Sequence, residues 1–215
     1  MNDNFIQAQY DITKKSRLRQ FYEKNKIVIF SSIFIIIIFF VSFSFYFENK
    51  KNKKILLSEN YLQAKIYLGE GENIKALNVL KEVIYANDST YSTLSLFLIL
   101  NHNLMTEHSE LLLLFDHLLE KNKFDKEIEN LIIFKKALID SNLVSESTLL
   151  DTIKPLLNKE SMWKPHALLL LGDYFMSKNE YIKAIEFYQK IFSINNLQKG
   201  IYDRARSQLA LISNE

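Results

Sequence analysis

The chain has 215 residues, a formal net charge of +2, four Gly, two Pro and no Cys. So few turn residues argue against a β-sandwich or barrel, and Gly69, Gly71, Gly172 and Gly200 are spaced wrongly for a GxxxxGK[ST] or GxGxxG phosphate cradle. Without Cys there is no disulfide, iron–sulfur cluster, thiolate zinc site or cysteine nucleophile. A sequence so rich in Ile, Lys, Asn and Phe reads as the product of an AT-biased genome.

Charge divides the chain into unlike parts. Residues 1–26 hold six Lys/Arg against three acids, residues 48–54 hold four Lys against Glu48, and residues 55–215 hold 17 basic against 21 acidic residues. Between the two basic blocks, Ile27–Phe47 is 21 residues without a charge. At about 1.5 Å per residue that length crosses the ~30 Å hydrocarbon core of a bilayer. It is too long for a signal-peptide core and lacks a small-residue cleavage site after Tyr46-Phe47-Glu48, so a retained anchor is expected. Six basic residues precede the span, from Lys14 to Lys26, and five follow it within similar reach, from Lys50 to Lys65. Charge alone gives only a slight preference for a cytoplasmic N-terminus.

The expected organisation is a basic tail (1–26), a transmembrane helix (27–47), a basic juxtamembrane linker (48–54) and an all-α domain (55–215). In that domain apolar residues recur at three and four, and breaks rich in Gly, Asn, Ser or Asp leave about nine helices. Ser89, Thr106, Asp125, Ser161 and Asn179 stand where N-caps are expected. Pro165 belongs in a first turn, and Pro155 should kink or shorten the helix running from about Ser147.

Regular helix–turn–helix spacing points to a repeat. Leu168, Leu171-Gly172 and Phe175, followed by Ala184 and Tyr188, fall at tetratricopeptide spacing, with Asn196 where a proline usually ends the unit. Ala64, Tyr67, Ala76 and Leu80 repeat the scheme 108 residues earlier, and Asn73–Asn78 echoes Tyr181–Glu186. Three periods of about 36 residues leave room for two more pairs, at 89–121 and 125–158, and a helix over 199–213 would cap the stack. The predicted fold is an α-solenoid of about four helical hairpins with a C-terminal capping helix.

Chemistry is harder to find. His102, His108, His117 and His166 form no HExxH and no i,i+4 pair. Asp116-His117 and His108-Ser109 are adjacent in sequence, but neighbours on a helix point in different directions. No catalytic, cofactor or metal site is predicted, although an unrecognised membrane-bound hydrolase stays among the alternatives. The basic residues gather beside the span and the domain is net acidic, so nucleic acid is not an expected partner. In this register Tyr61, Lys65 and Leu68 of the first pair, and Leu169, Asp173 and Met176 of the last, line a concave partner groove. Apolar and aromatic groove residues suit an unfolded segment or a partner helix.

This arrangement resembles the YfgM family of bacterial inner-membrane proteins over nearly the whole chain. The local likeness lies in Met162-Trp163-Lys164-Pro165-His166-Ala167 with Leu171-Gly172, and in the terminal helix around Asp203–Arg206 and Leu209-Ala210. Met162 and Lys164 depart from the family pattern. The resemblance implies a cytoplasmic N-terminus, a periplasmic repeat domain, and an ancillary role beside the Sec translocon. Translocon subunits, periplasmic chaperones and exported polypeptides would be its protein partners, with membrane lipid around the span and no cofactor. A scaffold for another envelope complex, such as cytochrome-assembly or cell-wall machinery, is the alternative.

Overall fold

A computed structural model describes residues 17–141, 143–157 and 161–213. The basic residues Lys14 and Lys15 and the predicted break at 158–160 lie outside them. Among the described residues the chain is all-α: α1 (Arg17–Gly69), α2 (Asn73–Tyr85), α3 (Ser89–Asn101), α4 (His108–Lys121), α5 (Lys126–Asp140), α6 (Glu146–Leu157), α7 (Lys164–Ser177), α8 (Tyr181–Phe192) and α9 (Lys199–Ser213). The chain divides into two compact units, Met1–Leu56 and Leu57–Glu215.

The first unit is dominated by α1. No Gly or Pro precedes Gly69, so nothing in Arg17–Leu68 interrupts the helical ladder, and residues 48–54 are turns of the same helix. Ile27–Phe47 is apolar on every side and exposed almost throughout, as in a helix that faces lipid. The Ser32 hydroxyl donates to the Val28 carbonyl at 2.8 Å, satisfying a polar group that has no water in a bilayer core. Phe39 and Phe43 stack at 6.0 Å between centroids, and Phe43 and Phe47 lie 4.5 Å apart.

The second unit is a helical solenoid. Its helices pack on their neighbours in sequence, α2 on α3 through to α8 on α9, with further contacts from α2 to α4, α5 to α7 and α7 to α9. Two apolar clusters result. One joins Ala64, Leu80, Ile84, Leu96, Ile99, Leu114, Phe115 and Ile132; the other joins Ala137, Ile153, Leu171, Phe175, Ala184, Tyr188 and Ala205. Helix α5 contributes to both, through Ile132 and Ala137.

The first and last hairpins make the same contacts 108 residues apart. Ala64 and Gly172 occupy one small position, and Ala76 and Ala184 the other, all of them buried. Lys75 pairs with Glu72 at 2.7 Å and lies over the Tyr67 ring; Lys183 pairs with Glu180 at 2.8 Å and lies over Phe175. The backbone agrees, with Glu72 N–H donating to the Tyr67 carbonyl at 2.8 Å and Glu180 N–H to that of Phe175 at 2.9 Å.

Those bonds are the six-to-one bonds of Schellman turns, which require a left-handed residue between the helices. Gly71 supplies it once, at φ 78°, whereas Asn87, Asn103, Asn179 and Asn196 supply it elsewhere at φ 49–60°. Asn179 is therefore a C-terminal turn residue and not the N-cap expected of it. Asn179→Ala should cost about 1 kcal/mol in a thermal melt, because it keeps the Cβ crowding of this region and removes the short polar side chain that offsets it by local hydrogen bonding. Glycine should cost nothing there.

Other caps also moved. Asp88, not Ser89, caps α3, accepting from Thr90 and Tyr91 N–H at 3.1 and 2.9 Å. Glu107 rather than Thr106 precedes α4, and Asp125 holds the N-cap position of α5 without a side-chain cap bond. Ser161 accepts from Trp163 N–H, one residue before α7 begins at Lys164. Pro165 is in the first turn of α7, and Pro155 lies inside α6.

Asp140, at the end of α5, is only 3% exposed. Burial pushes its carboxyl above the ordinary value of 3.8, Lys136 opposes the shift, and Asp116 adds to it. The folded state thus binds this proton more readily than the unfolded chain. Stability then falls as pH rises from the ordinary aspartate range through the raised folded value. Asp140→Asn should make the domain more stable at neutral pH, with the advantage shrinking toward pH 3 in chemical-denaturation midpoints.

Candidate functional site

The six groove residues predicted from register divide into two groups. Tyr61 and Leu68 are half-buried and Lys65 is exposed on α1, with the Tyr61 ring 6.2 Å from that of Tyr91. Leu169 is 8% exposed and belongs to the second core cluster, and Met176 packs against that cluster from its edge. Asp173 is engaged on both oxygens. Oδ1 accepts from the Tyr188 hydroxyl at 2.9 Å, and Oδ2 accepts from Arg204 at 2.6 Å. Helix α9 therefore reaches over this position, and Asp173 ties α7 to α8 and α9. Burial, then the Asp173 carboxylate beside it, hold the Tyr188 phenol well above the usual tyrosine range, so it stays a donor.

Concave apolar surface lies elsewhere. Between α3 and the start of α5 is a cleft of about 570 Å³, walled by Thr93, Leu94 and Phe97 on one side and by Phe124, Ile128 and Leu131 on the other. Both helices are the first members of their pairs, the members expected to line a groove. Leu94 and Ile128 remain 40% and 43% exposed, accessible to a partner. Periodicity missed this site because α3, STYSTLSLFLILN, has no apolar face. The small Ser92 and Ser95 turn out to be fully buried, and Ser92 Oγ donates to the Val83 and Ile84 carbonyls at 3.0 Å. Serine here does the close-approach work that Gly172 and Ala184 do in the last hairpin, which leaves Leu94 and Phe97 on the open side.

A second cavity, about 900 Å³, lies between α5, α7 and α8 and is lined by Glu127, Met162, Leu168, Phe187, Lys190 and Ile194 among others. Its rim is set by a latch from the sequence before α7. Trp163 Nε1 donates to the Glu127 carbonyl at 3.1 Å, and the indole stacks on Phe134 with centroids 5.6 Å apart. Asn130 donates to Ser161 Oγ at 3.0 Å, and that hydroxyl donates to Glu127 Oε2 at 3.0 Å. The Met162–Ala167 stretch thus fixes the angle at which α7 leaves α5.

Two of the four histidines have packing partners, while His102 and His108 are exposed. His117 Nε2 is 2.8 Å from Asn87 Oδ1 and its ring meets Tyr85 at 4.8 Å, while His166 lies against Phe134 and Trp163. Among the described residues no three His, Asp or Glu side chains gather as a metal site. What the geometry offers is two concave clefts on a helical frame, the one beside α3 walled mainly by apolar side chains.

No protein-family model matches the chain, and no solved structure matches it significantly. Over 160 residues, 74% of its length, it is 31% identical to the ancillary SecYEG translocon subunit of Buchnera aphidicola subsp. Schizaphis graminum (strain Sg), covering 80% of that relative. A match of that identity and extent establishes that the chain belongs to the YfgM family.

Proposed function

We propose that this protein is anchored in the bacterial inner membrane by one helix, and that its solenoid is a protein-interaction module ancillary to the Sec translocon. In this reading the N-terminus is cytoplasmic, the domain is periplasmic, and the clefts hold chaperones or newly exported polypeptides. The observation that carries it is the relative named as an ancillary SecYEG translocon subunit, matched over 74% of the chain. The single long apolar helix and the open Leu94–Phe97–Ile128 cleft support it. No catalytic step is assigned to any residue.

Affinity purification from membranes in mild detergent tests this. Translocon subunits should co-purify with the intact chain. Their reproducible absence, with components of another envelope complex in their place, would transfer the protein to the scaffold reading. Topology has a separate test, made clean by the absence of native Cys. Ser177 is exposed, so Ser177→Cys should react with a membrane-impermeant thiol reagent once the outer membrane is permeabilised. Protection until the inner membrane is lysed would place the domain in the cytoplasm.

A further inference from the structure

The apolar part of α1 and the basic turns that follow it share one face. Phe39, Phe43, Phe47, Lys50 and Lys54 are separated by four, four, three and four residues, the spacing that brings helical side chains into line. The rings are already in register along that line, at 6.0 Å and then 4.5 Å between centroids. Lys51 flanks the same face one position on, while Glu48 and Asn52 fall on the opposite side of the helix. All six aligned residues are exposed, and among the described residues no carboxylate pairs with Lys50, Lys51 or Lys54. One side of the helix therefore carries a row of three neighbouring aromatic rings, the first two stacked and the last two tilted, followed by three ammonium groups without a carboxylate partner.

That order of chemistry, apolar then cationic along one line, matches a single molecule that is apolar at one end and anionic at the other. We propose that Phe39, Phe43, Phe47, Lys50, Lys51 and Lys54 form a binding site for an anionic phospholipid. The phosphate is held by the lysines and an acyl chain lies along the rings. A lysine near the headgroups holds anionic lipid electrostatically, and a phosphate can take donors from two or three ammonium groups at once. A neutral zwitterionic lipid brings its own cation to the same place and gains much less. The site is independent of what the solenoid binds, and it rests only on α1 crossing the bilayer.

The test uses the full chain in nanodiscs of phosphatidylcholine containing a minority of phosphatidylglycerol, extracted gently and analysed for retained lipid. Wild type should retain phosphatidylglycerol enriched roughly tenfold over its bulk share, and Lys50→Gln with Lys54→Gln should bring the ratio close to bulk. Lys50→Arg with Lys54→Arg should keep the enrichment. Phe43→Ala should lower retention of both lipids along that face while leaving the headgroup preference. Equal retention by wild type and the double Gln variant, or no preference in wild type, overturns the proposal. Millimolar inorganic phosphate separates the two sources of the anion. If it removes the enrichment entirely, the lysines hold a soluble phosphate and the lipid assignment is wrong. Resistance of every variant to alkaline extraction shows that the span itself is intact; a wild-type chain washed out by alkali would remove the span and the site together.

Discussion

Gly172→Val is expected to destabilise the solenoid by about 3 kcal/mol, lowering the thermal midpoint of the full chain in detergent by several degrees. The reason is a single contact between two helices. A Cβ added at Gly172 would overlap the Tyr188 ring, reaching 2.6 Å from Cδ1 and 2.8 Å from Cζ. The ring has nowhere to go. Tyr188 is fully buried, and its hydroxyl is fastened to Asp173, which Arg204 holds from α9. Gly172→Ala should cost somewhat less, about 2 kcal/mol, because only one carbon must be accommodated. Combining Gly172→Ala with Tyr188→Leu should cost clearly less than the sum of the two single changes, since each relieves the other. Additive losses would mean that the helices separate freely at this point and that the close approach contributes little.

Phe115→Ala should remove about 3–5 kcal/mol, from the other end of the domain. Phe115 has no exposed surface and sits in the cluster that joins Ala64, Leu80, Leu114, Leu118 and Ile132. Truncation leaves a cavity whose walls come from helices α1 to α5, which cannot all close at once. Because contacts run between helices near one another in sequence, the damage should also be local. Amide hydrogen exchange should rise first in α2–α4, while α7 and α8, on the second cluster, keep more of their protection. A uniform rise across all helices would show that α5, shared by the two clusters, couples them into one cooperative unit.

The first and last hairpins were readable because their small residues are Ala and Gly and their large ones aromatic, so size alternation survives in the sequence. In α3 the same role falls to Ser92 and Ser95, which pattern counting scores as polar, and the outward face of that helix was therefore invisible. The cleft at Leu94 and Phe97 was lost with it. Register assigns Asp173 to the groove side of α7 but cannot show that Tyr188 and Arg204 claim its carboxylate. The predicted juxtamembrane linker at 48–54 is set apart only by its charge, four Lys against Glu48. With no Gly or Pro before Gly69, its residues simply continue the helix begun within the span.

The left-handed asparagines after α2, α3, α7 and α8 fit the AT-biased composition of the sequence as well as the geometry of the turns. Glycine codons begin with two guanines, whereas asparagine is written almost entirely in A and T. In a genome drifting toward A and T, asparagine is the one common residue that can take over a left-handed turn without wrecking it. Using asparagine at these turns keeps some conformational strain at each site. At Asn87 it supplies an oxygen 2.8 Å from His117 Nε2, a contact that glycine would lose. It also hides the protein: a turn signature that demands glycine finds Gly71 and passes over the other four.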